Sequence, residues 1–264
     1  MAYYIYRNSS LVITESDQQR YGCDISFIGN MYVDDYFENV YIRAADATKN
    51  DIDAIINQAF GVWDGKDRIY SRLSEASIAE LEELCGFKPK ENDLFALSSD
   101  KYLATRLLAR RLAYLERMEI SRLLCGFDYR LYTTSKDYEL EGVDIWPPLD
   151  YSEELPKAYH LSKINLNVTL HSITSGIPLR IFDIMGVGGF VLSNYQPEIE
   201  DCFAIGGEIE VYKDLDELEE KVYYYLSHED IRQKIALKGY EKVSEKYSYD
   251  TRFDEMLKHI GVCL

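Results

Sequence analysis

The sequence has too few basic residues to balance its acidic ones. It carries 29 lysines and arginines against 46 aspartates and glutamates, which gives a formal net charge of −17 at pH 7. Such a charge argues against nucleic acid or an anionic membrane as the main partner. It leaves open an anionic small ligand, because a local cationic pocket can form on an acidic protein.

The sequence also lacks paired cysteines, clustered histidines and long apolar runs. Its five cysteines are scattered singly, without a CxxC pair, which predicts free thiols in a reducing compartment. Its four histidines have no metal-ligand spacing, so we expect no structural zinc site. No apolar run is long enough to span a membrane, and the first residues, MAYYIYRNSS, lack the basic and apolar regions of a signal peptide. We therefore expect no transmembrane segment and a cytoplasmic location.

What the sequence does have is an alternation of short apolar strands with helices. Hydrophobic residues make up 47% of the chain, enough to form a core. The alternation predicts an α/β fold with a Rossmann-like parallel sheet and helices on both faces. A helical elaboration at about 31–125 follows the first strand, and residues 1–20 show no helix or strand of useful length. The predicted strands include 23–30, 163–169, 189–194 and 208–213, and the predicted helices are 47–60, 68–86, 92–125, 178–187, 214–226, 227–246 and 250–260.

The segment SGIPLRIFDIMGVGGFVLSN, residues 175–194, places charged residues in an otherwise apolar block. Pro178 suits the first position of a helix, Ser175 lies near its cap, and Gly176 allows the backbone to approach a ligand closely. In a parallel sheet this helix begins at the carboxyl edge of the strands, where ligands bind, and its free N–H groups favour anions. Arg180 in the first turn is opposed by the helix dipole, which is explained if a phosphate or diphosphate docks beside it.

Asp183 lies one turn after Arg180, on the same helix face. Its carboxylate could accept hydrogen bonds from ribose hydroxyls. Alternatively, the two side chains simply pair with each other, an interaction worth only a few tenths of a kcal/mol. Spacing alone leaves both interpretations open.

Other candidates for ligand contact lie in loops and at a strand start. Gly29 and Asn30 follow the first strand and would approach phosphate or sugar, or else form an ordinary strand-end turn. Lys163 could reach phosphate, although a solvated lysine is the commoner outcome. His171 and Ser172, in the loop before the helix, are candidate sugar or phosphate contacts, although a lone loop histidine is more often uninvolved.

Three further features favour structural roles. Asn165 and Asn167 lie on a predicted buried strand, where amides need partners, and could fix the ligand loop. The backbone of the segment WPPLDY, residues 146–151, could present donors and acceptors to a base, but the segment is interpreted as a packed turn. A basic cluster on the long predicted helix is interpreted as a solvated or salt-bridged face: Arg106, Arg110, Arg111, Arg117 and Arg122.

Several sequence pieces occur together in a specific order: SKINLN, SGIPLR, FDIMGVGGFVLSN and YYYLSHEDIRQKIA. With them, residues 162–243 closely resemble the C-terminal half of bacterial glycosyltransferases of the spore-maturation CgeB-like group. The resemblance extends upstream through RRLAYLERMEISRLLCGFDYRLYT and YGCDISFIGNMY, and so covers about residues 20 to 260.

This resemblance implies one half of a GT-B fold, in which two Rossmann-like domains face each other across a cleft. Residues 21–264 would be the C-terminal domain, which binds a nucleotide-sugar donor, here a UDP- or GDP-sugar, for transfer to an unknown protein or glycan acceptor. Arg180 would face the diphosphate and Asp183 would bind ribose, with no metal or other cofactor. Many retaining GT-B enzymes carry a glutamate where this sequence has Ser175, which argues against retaining chemistry of that type.

The resemblance also implies an N-terminal acceptor domain, which this sequence does not contain. We therefore expect residues 1–20 to be a linker or tail, and the chain to bind a donor but to transfer sugar poorly or not at all alone. The alternative is a non-catalytic module that uses a GT-B-like half for protein association.

Overall fold

A computed structural model describes residues 11–33, 35–88, 97–135 and 140–261. The strands are β1 (Cys23–Ile28), β2 (Tyr129–Tyr132), β3 (Asp144–Trp146), β4 (Ser162–Asn167), β5 (Val191–Asn194) and β6 (Glu210–Tyr212). The helices are α1 (Glu15–Tyr21), α2 (Tyr36–Tyr41), α3 (Asp46–Ala59), α4 (Glu75–Cys85), α5 (Ser99–Leu103), α6 (Ala109–Leu124), α7 (Leu155–Leu161), α8 (Leu179–Gly186), α9 (Pro197–Cys202), α10 (Leu215–Ser227), α11 (Glu229–Lys246) and α12 (Tyr249–His259).

All six strands form one parallel sheet in the order β3-β2-β1-β4-β5-β6. The strand succession therefore reverses between β1 and β4, where Ile25 pairs with Ile164. In open α/β sheets, ligands bind outside the carboxyl ends of the strands at such a reversal point. The order and the parallel pairing confirm the Rossmann-like fold that the sequence predicts.

Helices cover both faces of the sheet, which is why its central strands are buried on both sides. On one face, α6 and α10 pack apolar residues such as Ile120 and Val222 against Phe27 and Leu166. On the other face, α7 and α8 form a second core together with Val243 of α11. No described helix is long and apolar enough to cross a membrane.

The helices α2 to α6 stand between β1 and β2, as the predicted elaboration requires, and have their own buried core around Ile52, Leu81 and Leu108. A π-helical turn, Ala104–Leu108, joins α5 to α6. Farther along α6, Ile120 and Leu124 belong to the core of the sheet. The helix α6 therefore connects the layer formed by α2 to α6, the helical layer, to the sheet. The middle residues of α6 lie at the reversal point.

The prediction that residues 1–20 contain no useful helix was wrong for α1. Thr14 caps this helix in a reciprocal arrangement with Asp17, which is a local signal for a helix start. Tertiary contacts then hold α1 to α7: Asp17 pairs with Lys157 at 2.8 Å, and Arg20 pairs with Glu154 at 2.8 Å. Residues 1–10 lie outside the described part of the chain.

Three predicted helix boundaries were also wrong. The helix expected from residue 68 begins at Glu75, because the Ser74 side chain accepts a hydrogen bond from the Ser77 N–H and caps it there. The long helix expected from 92 begins at Ser99, and the stretch 89–96 lies outside the described residues. Ser227 does not cap α11, since its hydroxyl donates to the Tyr223 carbonyl and His228 occupies the cap position.

Candidate functional site

The site is built around the carboxyl ends of β1 and β4, and the most buried cation there is Arg117 of α6. Its guanidinium donates from Nη1 to the Asn30 carbonyl, just after β1, and from Nη2 to the Val168 carbonyl, just after β4, at 2.6 Å. The side chain is 3% exposed. Arg117 thereby joins the two backbone segments that diverge at the reversal point. The prediction that it belongs to a solvated basic face was wrong.

Arg180 reaches the same place from the first turn of α8. Its Nη1 donates to Asn167 Oδ1, at the end of β4, over 3.1 Å, and its guanidinium carbon lies 5.8 Å from the centre of the Phe27 ring of β1. A Cβ atom added to Gly29 would be 3.4 Å from Arg180 Nη2. The arginine therefore lies against the turn that follows β1, close to Gly29.

The two arginines are not paired with acidic side chains. Among the described residues, neither Arg117 nor Arg180 forms a salt bridge; they donate instead to two carbonyls and one amide oxygen. Burial lowers the pKa of the Arg117 guanidinium and the nearby charge of Arg180 lowers it as well, whereas Tyr32 and the buried Glu116 raise it. Two cations that repel each other and form no salt bridge among the described residues favour an anion at this point, since an anion would relieve their repulsion.

Asp183 is placed deeper on α8 and is 6% exposed. It accepts a hydrogen bond from the Tyr151 hydroxyl at 3.3 Å, whereas Arg180 bonds Asn167. The alternative that Arg180 and Asp183 merely pair with each other therefore does not describe these contacts. Tyr151 comes from the segment interpreted as a packed turn, so that segment also contributes to the site.

Tyr159 of α7 lies beneath this part of the site. Burial raises the pKa of its phenol to about 12, with Arg180 lowering and Asp183 raising it. The Tyr159 phenol is therefore neutral near pH 7.

The start of α8 is open to solvent. Pro178 is at the cap position, so α8 begins at Leu179, one residue after the predicted start, and among the described residues no side chain caps the first turn. Ser175 and Gly176 are exposed just before it, and Gly176 has φ of +87°, with open space where a Cβ would stand. The exposed backbone donors at this helix end therefore lie next to Arg180 in the chain.

Lys163 is not part of this group of residues. It lies at the amino end of β4, next to Ser162, which pairs with Cys23, and its Nζ contacts Asp24 Oδ1 at 2.7 Å. In a parallel sheet, the amino ends of the strands lie at the opposite edge from the reversal-point ligand site. Because Lys163 lies at that opposite edge, we do not propose that it contacts phosphate.

His171 and Ser172 are near the group but are committed to other contacts. His171 Nε2 lies 2.8 Å from Glu116 Oε1, and Glu116 is fully buried and also accepts a hydrogen bond from the Gly61 N–H at 3.0 Å. The Ser172 carbonyl accepts a hydrogen bond from the Tyr70 hydroxyl at 2.9 Å. The loop before α8 is thus fastened to the helical layer.

The strand amides fix the same loop. Asn167 Nδ2 donates to the hydroxyls of Thr169 and Ser193, both at 2.9 Å, and Asn194 Oδ1 accepts from the Thr169 N–H at 2.8 Å. Asn165 Nδ2 instead bonds the Tyr159 carbonyl within the core. Asn167 therefore orients the loop and Arg180 at once, while Asn165 is structural.

Sequence reasoning missed Arg117 and Glu116 as buried residues, although a signal was present. The buried positions of α6 repeat three and four residues apart, which is the period of one helix face. Both charged residues fall on that face: Ala109, Leu112, Ala113, Glu116, Arg117, Ile120, Ser121 and Leu124.

A family model described as "Glycosyl transferase-like" matches residues 105–258, more than half of the chain. The chain belongs to this family. The match takes in α6, with Arg117, and the whole segment from β2 through α11. No curated protein matches the chain. Among the described residues of this glycosyl transferase-like chain, no group of His, Cys, Asp and Glu side chains could hold a metal ion.

Solved structures show weaker likeness. TarM aligns over 55% of this chain and 32% of its own length, with 14% identity and a TM-score of 0.43. A TarM variant from S. aureus, in complex with fondaparinux, α-GlcNAc-glycerol and UDP, aligns over the same shares with 15% identity and a TM-score of 0.42. The pneumococcal O-GlcNAc transferase GtfA, in complex with UDP and GlcNAc, aligns over 54% and 31%, with 13% identity and a TM-score of 0.37. The chain spans about a third of the length of these structures.

Proposed function

We propose that this chain is the donor-binding half of a CgeB-like, GT-B glycosyltransferase and binds a nucleoside-diphosphate sugar at the reversal point. The observation that carries the proposal is the meeting of Arg117 and Arg180, without an acidic partner among the described residues, at the carboxyl ends of β1 and β4. A diphosphate supplies negative charge that both guanidinium groups can bind, and planar guanidinium groups suit phosphate oxygens.

The other contacts follow from this placement of the diphosphate. Ser175 and Gly176 lie at the open start of α8, where backbone N–H groups stabilise phosphate oxygens. Gly29 and Asn30 form the turn on the β1 side. Asp183 accepts hydrogen bonds from ribose hydroxyls, as it already does from a tyrosine hydroxyl.

In the transfer step, an acceptor hydroxyl oxygen forms a bond to the anomeric carbon, and the bond from that carbon to the phosphate oxygen breaks. The electron pair stays on the leaving nucleoside diphosphate, whose charge the arginines and the start of α8 stabilise. The hydroxyl proton passes to a base, which we propose belongs to an acceptor domain outside this chain. The isolated chain is then a donor-binding unit with little or no transfer activity.

Calorimetric titration with UDP, GDP, UDP-glucose, UDP-GlcNAc and GDP-mannose tests the proposal. We expect at least one nucleotide to bind, and Arg180→Ala to weaken its binding by about ten- to a hundredfold, because charge-assisted hydrogen bonds are lost. Asp183→Asn should weaken it less, by about fivefold, because it loses one acceptor charge but keeps an amide oxygen.

The matched control is Arg122→Ala on α6, whose side chain is 61% exposed and pairs only with Glu119 among the described residues. It should bind like the parent chain. Small, equal effects of Arg180→Ala and Asp183→Asn would point to a surface role for both residues. Failure of every nucleotide to bind would instead favour the protein-association module.

A further inference from the structure

The turn that follows β1 contains a strained residue, Tyr32. Its φ is +56°, in the left-handed region, where a tyrosine is rarely found. Such a conformation costs free energy and persists only where the surroundings hold it, and residues of this kind cluster at functional sites. The strained residue belongs to the same turn as Gly29 and Asn30 of the proposed diphosphate site.

Hydrogen bonds hold this turn in place. The Tyr32 N–H donates to Asn30 Oδ1 at 2.5 Å, and the Ser135 hydroxyl, which follows β2, donates to the same oxygen at 3.2 Å. The Met31 N–H donates to the Ser135 hydroxyl oxygen at 3.0 Å, and the Asn30 carbonyl accepts from Arg117. The turn is therefore fixed from the β2 side and from α6, and these contacts sustain the strain at Tyr32.

The Tyr32 ring belongs to a row in which cations and aromatic rings alternate. The guanidinium carbon of Arg117 is 4.9 Å from the centre of the Tyr32 ring and 5.2 Å from the centre of the Phe27 ring. The guanidinium carbon of Arg110 lies 5.2 Å from the Tyr32 ring centre, and that of Arg180 lies 5.8 Å from the Phe27 ring centre. In order of contact, the members are Arg110, Tyr32, Arg117, Phe27 and Arg180.

The contact with Tyr32 stabilises the buried charge of Arg117. An aromatic face attracts a cation, and more strongly where water is excluded. Arg117 is 3% exposed, and its Nε atom has no hydrogen-bond partner among the described residues. Burial lowers the pKa of this guanidinium, and Tyr32 opposes the decrease more strongly than Glu116 does. Tyr32 therefore favours the charged form of a guanidinium that burial disfavours.

We propose that Tyr32 is a positioning residue of the diphosphate site, whose ring holds the Arg117 guanidinium in place relative to Arg180. The inference rests on the proposed function, in which both cations act on the diphosphate. A buried cation attracts a bound anion through its charge, and the attraction depends on the distance between the two groups. Loss of the ring therefore weakens nucleotide binding, even without a contact between Tyr32 and the nucleotide.

Two substitutions separate the ring from the strained backbone. Tyr32→Ala and Tyr32→Gly both remove the ring, but glycine adopts a positive φ without strain and alanine does not. We expect Tyr32→Gly to unfold at a higher temperature than Tyr32→Ala, the reverse of the usual order of these two residues. In calorimetry with UDP and GDP, both variants should bind about fivefold more weakly than the parent chain, whereas Tyr32→Phe, which keeps the ring, should bind within about twofold of it.

The Nε–H resonance of Arg117 gives a readout that needs no ligand. An aromatic ring shifts the resonances of protons held near its face, so loss of the Tyr32 ring should move this signal in proton–nitrogen correlation spectra, and Arg117→Met assigns the signal by its disappearance. Tyr114→Ala is the control, because the Tyr114 ring lines the same cavity of about 130 Å³ as Tyr32 but lies 5.3 Å from the Arg111 guanidinium carbon. It should change neither the signal nor the nucleotide affinity.

The outcomes distinguish this inference from the proposed function. Weaker binding by both ring-deleted variants, together with a displaced Arg117 signal, supports the inference. If UDP or GDP binds the parent chain and both variants equally well, Tyr32 does not position Arg117 for the ligand, and the proposed function stands. If the affinities follow the stabilities, or the Arg117 signal does not move, Tyr32 serves only the fold of the turn and the inference fails. If no nucleotide binds the parent chain, the proposed function fails, and the role of Tyr32 in that site fails with it.

Discussion

Replacing Arg117 by methionine tests whether a buried cation holds the two halves of the sheet at the reversal point. The substitution keeps an unbranched side chain but removes the bonds to the Asn30 and Val168 carbonyls. Hydrogen bonds to charged groups contribute about 1.5–3 kcal/mol each, so the gross loss is about 3–6 kcal/mol. Relief of the buried charge and of its repulsion with Arg180 offsets part of this loss. We expect a net decrease of about 2–4 kcal/mol in the free energy of unfolding.

Equilibrium unfolding in urea, followed by far-UV circular dichroism and by fluorescence, measures the difference. Coincident transitions of the two probes are needed before a free energy is extracted. Arg122→Met, on the same helix but exposed, is the control and should change the midpoint little. If Arg117→Met unfolds at the parent midpoint, the carbonyl contacts do not stabilise the junction.

The same variant has a second readout in ligand binding. Under the proposed function, Arg117→Met should weaken UDP or GDP binding even where the protein is fully folded, because one of two cations is lost. An unchanged affinity, together with lower stability, would show that Arg117 is structural and that Arg180 alone carries the charge of the site.

Two further predictions concern packing and pH. Gly239→Ala in α11 would place a Cβ 2.5 Å from the Glu208 carbonyl oxygen and 3.0 Å from Met185 Cε. Thermal unfolding should therefore show a decrease of about 1–2 kcal/mol in the free energy of unfolding, although alanine has the better helix propensity. Gly126→Ala, with open space around the added Cβ, is the control and should be neutral. Hydrogen bonds from Lys157 and Thr14 lower the pKa of Asp17 to about 2 from 3.8. The carboxylate therefore stabilises the docked α1 above about pH 4, and this stabilisation is lost as the pH falls toward 2. Hydrogen exchange of α1 should show protection falling over that range in the parent and a flat, lower protection in Asp17→Asn; equal profiles would contradict the role of this ion pair.

The strands and the edge at which the candidate site lies followed from the sequence because their signals are local. The β4 segment alternates apolar and polar residues over the length of a strand. The alternation of such strands with helices leaves few arrangements other than a parallel sheet. The start of α8 was predicted to within one residue, since a proline preceded by glycine and serine marks a helix start.

The rest depended on contacts that no local pattern contains. Arg117 was interpreted as part of a solvated or salt-bridged face because Glu116 and Glu119 lie among the arginines of that helix. Its partners are carbonyls 87 and 51 residues away, and a carbonyl has no signature in a sequence. The contact between Glu116 and His171 joins residues that are 55 positions apart, so no local pattern indicates it either. The short helix α1 was missed because its capping signal is weak until α7 supplies ion pairs.

The position of β1 has a consequence for how the chain becomes folded during synthesis. Among the strands of the described sheet, β1 is the first to leave the ribosome, yet both of its neighbours come much later in the chain. The strand β2 follows the entire helical layer. The hydrogen bond from the Ser26 side chain of β1 to the Asn165 side chain of β4 joins residues 139 positions apart. Until β2 is synthesised, β1 remains an apolar strand with two unpaired edges. Such a strand tends to associate with other chains. The helical layer, whose core can close from local contacts, would then be the first part to fold and would shelter that strand through α6.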